Sequence, residues 1–214
     1  MKLIRIFGNF ILFQLIISVP IYMLSILNKN LFSYYSLATL FIIIQLVYVF
    51  LENKHYNLYL FNLKFHNYRK IITLGMALIL INQLVFIFLA NEKVIDNSSA
   101  DVFINLSETH GCFPFVYVLI LAPILEEIFF RGIFYRILIP ANNIVINYKI
   151  WIIIFINAIL FSYLHSPLGL NSICYFIGSL ILSVSYLKSK DLKVPIILHS
   201  FNNIISLIIP NLIN

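Results

Sequence analysis

The residues able to do chemistry are few, and they fall at helical spacing. Glu126, Glu127 and Arg131 stand in PILEEIFFRGIFYRIL, Pro123 to Leu138, whose only other charge is Arg136. Phe161 and His165 are four residues apart, as are His199 and Asn203, so each pair shares one face of a helix. A charge at bilayer depth costs about 2.5–3.5 kcal/mol on insertion scales, so such groups face a protein interior and are paired. Glu127 and Arg131 can form an intrahelical ion pair that offsets the burial of both. Glu126 is rotated about 100° from Glu127 around the helix and is left without a cation of its own, a setting that suits a general base.

One glutamate and two histidines admit three uses. As a metal site they supply three zinc ligands, although the chain has no HExxH and scattered ligands are a weak signal. As a proton relay they fit a transporter, whose sites also lie near the membrane midplane. As a hydrolytic site, Glu126 with His165 activates a water while His199 and Asn203 donate to the oxyanion of a tetrahedral intermediate. Serine chemistry fits less well: there is no GxSxG elbow, and Ser162, Ser166 and Ser200 lack a nucleophile context. A lone buried histidine is more often a hydrogen-bonded core residue than a catalyst, and Glu126, Glu127 and Arg131 could also form a packing network. Asn157 and Asn202 can reach the interior, where a single intramembrane asparagine usually joins helices for about 1 kcal/mol. The residues alone leave the three uses open.

The elements that must position these groups are membrane spans. Of 214 residues, 62% are hydrophobic and 10% charged, with apolar runs of about 20 residues between short polar clusters. Seven spans are expected, at about 3–27, 31–51, 71–90, 113–139, 149–165, 171–188 and 194–213. The fold class is therefore all-α, a polytopic transmembrane bundle forming one integral membrane domain over 1–214, with no soluble catalytic domain. The first segment is too long and too poor in cleavage signals to be a signal peptide. Asn28 to Asn30 is a tight connection that makes spans one and two a hairpin.

With the amino terminus inside, the inner connections hold Lys54, Lys64, Arg69, Lys70, Arg136, Lys149, Lys188, Lys190 and Lys193, against Lys29 and Lys93 on the other side. This bias predicts a cytoplasmic amino terminus and an extracytoplasmic carboxyl terminus. It also accounts for the net charge of +6 without nucleic acid, since no basic stripe interleaves with aromatics. The basic, aromatic loop 52–70 can lie along the inner headgroups. The loop 91–112 carries four carboxylates and the sequons at Asn97 and Asn105. Cys112 and Cys174 have no CxxC or metal-ligand spacing, and no disulfide is expected.

Glu126-Glu127-x-x-x-Arg131, Phe161-x-x-x-His165 and His199-x-x-x-Asn203, in this order and each in a late span, resemble the motifs of the CAAX protease and bacteriocin-processing (CPBP, or Abi) family. Its eukaryotic members are the Ras-converting prenyl-protein endopeptidases. The resemblance covers roughly 113–207, and Phe130-Arg131-Gly132 extends the first motif. It implies an intramembrane glutamic endopeptidase needing no cofactor: Glu126 as general base, His165 helping to hold and polarise the water, His199 and Asn203 as the oxyanion hole. Glu127, Arg131 and Phe161 are then supporting residues. Zinc at Glu126, His165 and His199 is the alternative.

The family's substrates are membrane-associated proteins or small peptides, which points to maturation of, or self-immunity to, secreted peptides such as bacteriocins. The Ile-, Asn-, Lys- and Phe-rich composition of an AT-rich genome fits a bacterial source. Residues 1–112 carry no motif and are where substrate selection can lie; 113–214 form the catalytic core. The expected partners are a peptide or membrane-protein substrate and the lipid bilayer, while the oligomeric state is not legible. A non-catalytic membrane immunity or binding protein, and a proton-coupled transporter, are the other classes consistent with the residues.

Overall fold

The computed structural model describes residues 2–26, 31–58, 68–92, 113–139, 148–166 and 169–213, with side chains described over most of these. Seven helices account for them: α1 Lys2–Ile26, α2 Leu31–Tyr56, α3 Arg69–Asn91, α4 over 113–138, α5 Tyr148–His165, α6 Asn171–Ser189 and α7 Lys193–Ile213. The fold is an all-helical bundle, and each expected span coincides with a helix. Four stretches, Tyr35–Tyr56, Arg69–Ala90, Tyr148–His165 and Asn171–Ser189, are by themselves long and apolar enough to cross a bilayer. Leu40, Ile43 and Phe50 on α2, Ile81 and Phe88 on α3, and Ile152, Ile156 and Ile159 on α5 face outward. An exposed belt of this kind is stable only against lipid, and the chain is a multi-pass membrane protein.

One boundary differs from the sequence expectation. α2 runs on to Tyr56, so Glu52, Lys54 and His55 lie in its last turns and not in a loop. The helix stops where Asn57 turns into the left-handed region at φ 51°, a conformation asparagine tolerates better than most residues. The connection at Asn28 to Asn30, most of the proposed headgroup loop (59–67), the sequons and Cys112 lie outside the described residues. Cys174 is a free thiol.

α4 is the hub of the bundle and is not a regular helix. It contains two π-helical segments, Tyr117–Leu121 and Ile128–Ile133, on either side of the α-helical Ala122–Glu127. Pro123 gives the first a local cause: it has no N–H to offer the carbonyl four residues back, so the ladder must widen there. In the second, the Phe130 carbonyl accepts a hydrogen bond from Asn157 Nδ2 of α5 at 2.9 Å. Every residue from Glu127 to Tyr135 is buried. α1 and α2 cover one flank of α4 through Phe13, Tyr48, Val49 and Phe129, with Phe13 stacked on Phe129 at 4.6 Å. On the other side α3, α6 and α7 meet through Ile79, Leu182, Val194 and Leu198.

Glycine permits two close approaches. A Cβ on Gly132 would lie 3.1 Å from Leu58 and 3.3 Å from Leu192, and one on Gly75 only 2.6 Å from Leu198. The basic ends of several helices gather at one end of the bundle. Arg136 donates to the carbonyls of Tyr56 and Asn57, and Arg5 meets His55 at 2.7 Å. α6 ends at Lys190, which is left-handed at φ 56°. Asp191 Oδ1 then accepts from the Lys193 N–H at 3.0 Å, capping α7 after a three-residue turn.

Candidate active site

Three helices deliver the charged and imidazole groups to one place. Glu126 Oε2 of α4 lies 3.3 Å from His165 Nε2 of α5 and 3.8 Å from His199 Nε2 of α7. At 1.5 Å per residue His165 lies about 26 Å along α5 from its first residue and His199 about 9 Å along α7. The two helices are therefore staggered or inclined relative to each other, which reconciles depths that a picture of straight, level spans cannot.

Each histidine is held through its other ring nitrogen. His165 Nδ1 is 2.9 Å from the Phe161 carbonyl one turn back, and His199 Nδ1 is 2.8 Å from Glu127 Oε1. Both bonds to oxygen acceptors place a proton on Nδ1, so that Nε2 faces Glu126. Phe161 braces both rings: it stacks on His165 at 4.2 Å and meets His199 edge-on at 5.7 Å. It also meets Phe130 edge-on at 5.1 Å and Arg131, whose guanidinium carbon lies 4.9 Å from the ring centroid.

Glu127 and Arg131 form the expected pair, with Nη1 to Oε1 at 2.8 Å and both side chains fully buried. The pair is not self-contained. Glu127 Oε1 is shared with His199, and Arg131 Nη2 donates to the Ser179 hydroxyl at 2.7 Å and to the Ser179 carbonyl at 3.1 Å. Burial of two charges is tolerated only where such additional bonds are supplied. Nothing about Ser179 in the sequence marked it as the partner on α6.

Glu126, Phe161, His165, His199 and Asn203 all line one cavity of about 360 Å³, with Tyr117 of α4 and Cys174 and Tyr175 of α6. Asn203 donates through Nδ2 to the Val118 carbonyl, in the first π segment, at 2.9 Å. All four residues expected to be catalytic thus reach one chamber, three of them at contact distance, while Glu127 and Arg131 sit behind it. Glu126, His165 and His199 each offer a ligand atom within 4.8 Å of the others, a set that could hold a divalent cation.

The far wall is built by Asn82, Gln83 and Phe86 of α3. Asn82 Nδ2 donates to the Cys174 carbonyl at 3.0 Å and Gln83 Nε2 to Asn202 Oδ1 at 2.8 Å. The sequence signal for these two was available, since adjacent amides in the middle of an apolar span have to face other polar groups.

Residues 108–205 match the family model of the type II CAAX prenyl endopeptidases, Rce1-like. The chain carries an Rce1-like domain. That domain contains α4, α5 and α6, most of α7, and Glu126, Glu127, Arg131, Phe161, His165, His199 and Asn203, in agreement with the resemblance seen in the motifs. The match to this domain points to a protease, and the apolar helices embed it in a membrane. No curated protein and no solved structure matches the chain. α1, α2 and α3 precede the Rce1-like domain, yet Ile17 of α1 and Gln83 of α3 also line its cavity.

Proposed function

We propose that the chain is an intramembrane endopeptidase in which Glu126 activates a water. The observation that carries this reading is the convergence of Glu126 Oε2 with the Nε2 atoms of His165 and His199 at 3.3 and 3.8 Å, on the wall of a chamber large enough for a short extended peptide. The His165 Nε2 lone pair and the Glu126 carboxylate oxygen are both acceptors, and a water shared between them has two O–H groups to give. The water oxygen attacks the scissile carbonyl carbon as its proton passes to Glu126. The C–N bond then breaks, and the leaving amine takes that proton.

The oxyanion is met by Asn203 Nδ2–H and His199 Nε2–H. Donation from Nε2 uses the doubly protonated ring, whose charge Glu127 balances from behind. Fixing these donors beforehand matters more than their number, because a preorganised dipole needs no rearrangement as charge develops.

The substrate class that fits is a membrane-associated protein or small hydrophobic peptide, in bacteriocin maturation or self-immunity, with α1 to α3 contributing to selection. The amino terminus is cytoplasmic and the carboxyl terminus extracytoplasmic in this reading, following the basic residues.

The test is cleavage of a membrane-inserted peptide panel by the purified protein in liposomes. Glu126→Gln and His165→Ala are expected to lower the rate by about 10²–10⁴-fold at unchanged abundance. Biological activity retained in both variants would favour a binding or immunity protein over an enzyme. The compact donor set favours one second reading, a zinc-dependent hydrolase at Glu126, His165 and His199. It predicts loss of cleavage with a chelator and recovery with zinc, whereas the water mechanism predicts no response.

A further inference from the structure

Asn203 is one end of a chain of amides that crosses the cavity. Gln83 Nε2 on α3 donates to Asn202 Oδ1 at 2.8 Å, Asn202 Nδ2 donates to Asn203 Oδ1 at 3.3 Å, and Asn203 Nδ2 donates to the Val118 carbonyl at 2.9 Å. The chain runs in one sense for a chemical reason. Val118 O can only accept, so Asn203 must turn its NH₂ towards it and its oxygen towards Asn202. Asn202 must then present NH₂ to Asn203 and oxygen to Gln83, which closes the chain as a donor.

Gln83 is itself only 8% exposed. It is held on a stretch of α3 that the neighbouring Asn82 locks to α6 through the Cys174 carbonyl. One Nδ2–H of Asn203 is spent on Val118, and the second is the one that the chamber can use.

We infer that Gln83 is a positioning residue: through Asn202 it fixes the amide of Asn203 with its NH₂, and not its oxygen, available to the developing oxyanion. The inference rests on the proposed role of Asn203, and it places part of the catalytic apparatus on α3, outside the segment 108–205 that matches the family. Without Gln83, the bond to Val118 alone opposes a flip that would present an acceptor to a negative charge. A hydrogen-bond chain of fixed sense removes that state before substrate arrives, which is the meaning of preorganisation here.

The two informative substitutions act differently on the chain. Gln83→Met keeps the length and removes the donor, so the chain is anchored only at Val118. Gln83→Glu keeps the shape but, ionised at alkaline pH where the variants are compared, offers only acceptors, so either Asn202 faces it oxygen to oxygen, or both asparagines flip and Asn203 turns its oxygen to Val118. Gln83→Met is expected to lower kcat about tenfold and Gln83→Glu about a hundredfold, with KM within about twofold in each. In an Asn203→Ala background neither is expected to lower kcat further, because the group they position is gone.

A second readout is independent of turnover. In the Glu126→Gln protein with selectively labelled asparagine, Gln83→Glu is expected to shift the side-chain amide resonances of both Asn202 and Asn203. Losses that multiply in the Asn203→Ala background, or an Asn203 amide resonance unmoved by Gln83→Glu, would overturn the relay. If the unmodified protein cleaves nothing but the resonances shift, the relay stands as geometry and the peptidase reading is what fails.

Discussion

Glu127 is the residue whose surroundings differ most from what its spacing implies. Four residues from Arg131 on one face, it reads as the counter-charge of a structural pair, and it does hold Arg131 at 2.8 Å. The same oxygen, however, receives His199 Nδ1 at 2.8 Å, so one carboxylate stabilises a buried guanidinium and sets the proton position of an imidazole. The two duties can be separated. Glu127→Gln leaves Arg131 buried without a counter-charge, an expected cost of about 3–5 kcal/mol, read as a fall in melting temperature together with a loss of cleavage. Adding Arg131→Met removes the stranded charge, so stability is expected to recover while cleavage does not. Recovery of both would show that Glu127 serves the fold alone. The types and spacings of Glu126, His165, His199 and Asn203 were legible because polar groups stand out in apolar spans. That His199 faces Glu127 as well as Glu126 was not, since it depends on how α7 is rotated against α4.

Among the elements, α4 shows most clearly what local sequence can and cannot dictate. Pro123 announces a defect in the helical ladder, but nothing in Ile128–Ile133 compels a second π segment, whose Phe130 carbonyl is met by Asn157 of a different helix. Small residues set how closely the elements approach. Gly75 on α3 lies against Leu198, the neighbour of His199, with 2.6 Å between a built Cβ and the leucine methyl. Gly75→Ala is therefore expected to push α7 outward and cost about 1–3 kcal/mol, lowering thermal stability and, through His199, the rate of cleavage. Leu198→Val in the same chain opens the space and is expected to restore both. Unchanged stability in Gly75→Ala alone would mean that Leu198 has room to turn aside. Each helix of the bundle was recognisable from length and hydropathy. The overrun of α2 to Tyr56 was less so, because charged last turns look like loop to a hydropathy window although the backbone continues until Asn57 turns left-handed.

For the whole molecule, the bundle divides into a covering pair, α1 and α2, and a chamber built between α3, α4, α6 and α7, with His165 brought in from α5 and Ile17 from α1. Contacts among Arg5, His55, Arg136 and the end of α2 gather basic groups at one end, the end that the proposed orientation places in the cytoplasm. Reporter fusions test the resulting orientation. A phosphatase active only outside the cytoplasm is expected to be active when fused after Ile213 and inactive when inserted in the turn 190–192; the reverse pattern would invert the topology and the side from which the chamber is reached.

By itself the amino-acid sequence determined that the chain is a bundle of membrane-crossing helices and which of their residues are too polar to face lipid, because transfer energies act residue by residue. It could not determine that Glu126, His165 and His199 converge, that Ser179 completes the shell around Arg131, or that Gln83 reaches Asn203 through Asn202. Those relations depend on the stagger, rotation and close approach of helices distant in the chain, and they are settled only when all seven pack at once.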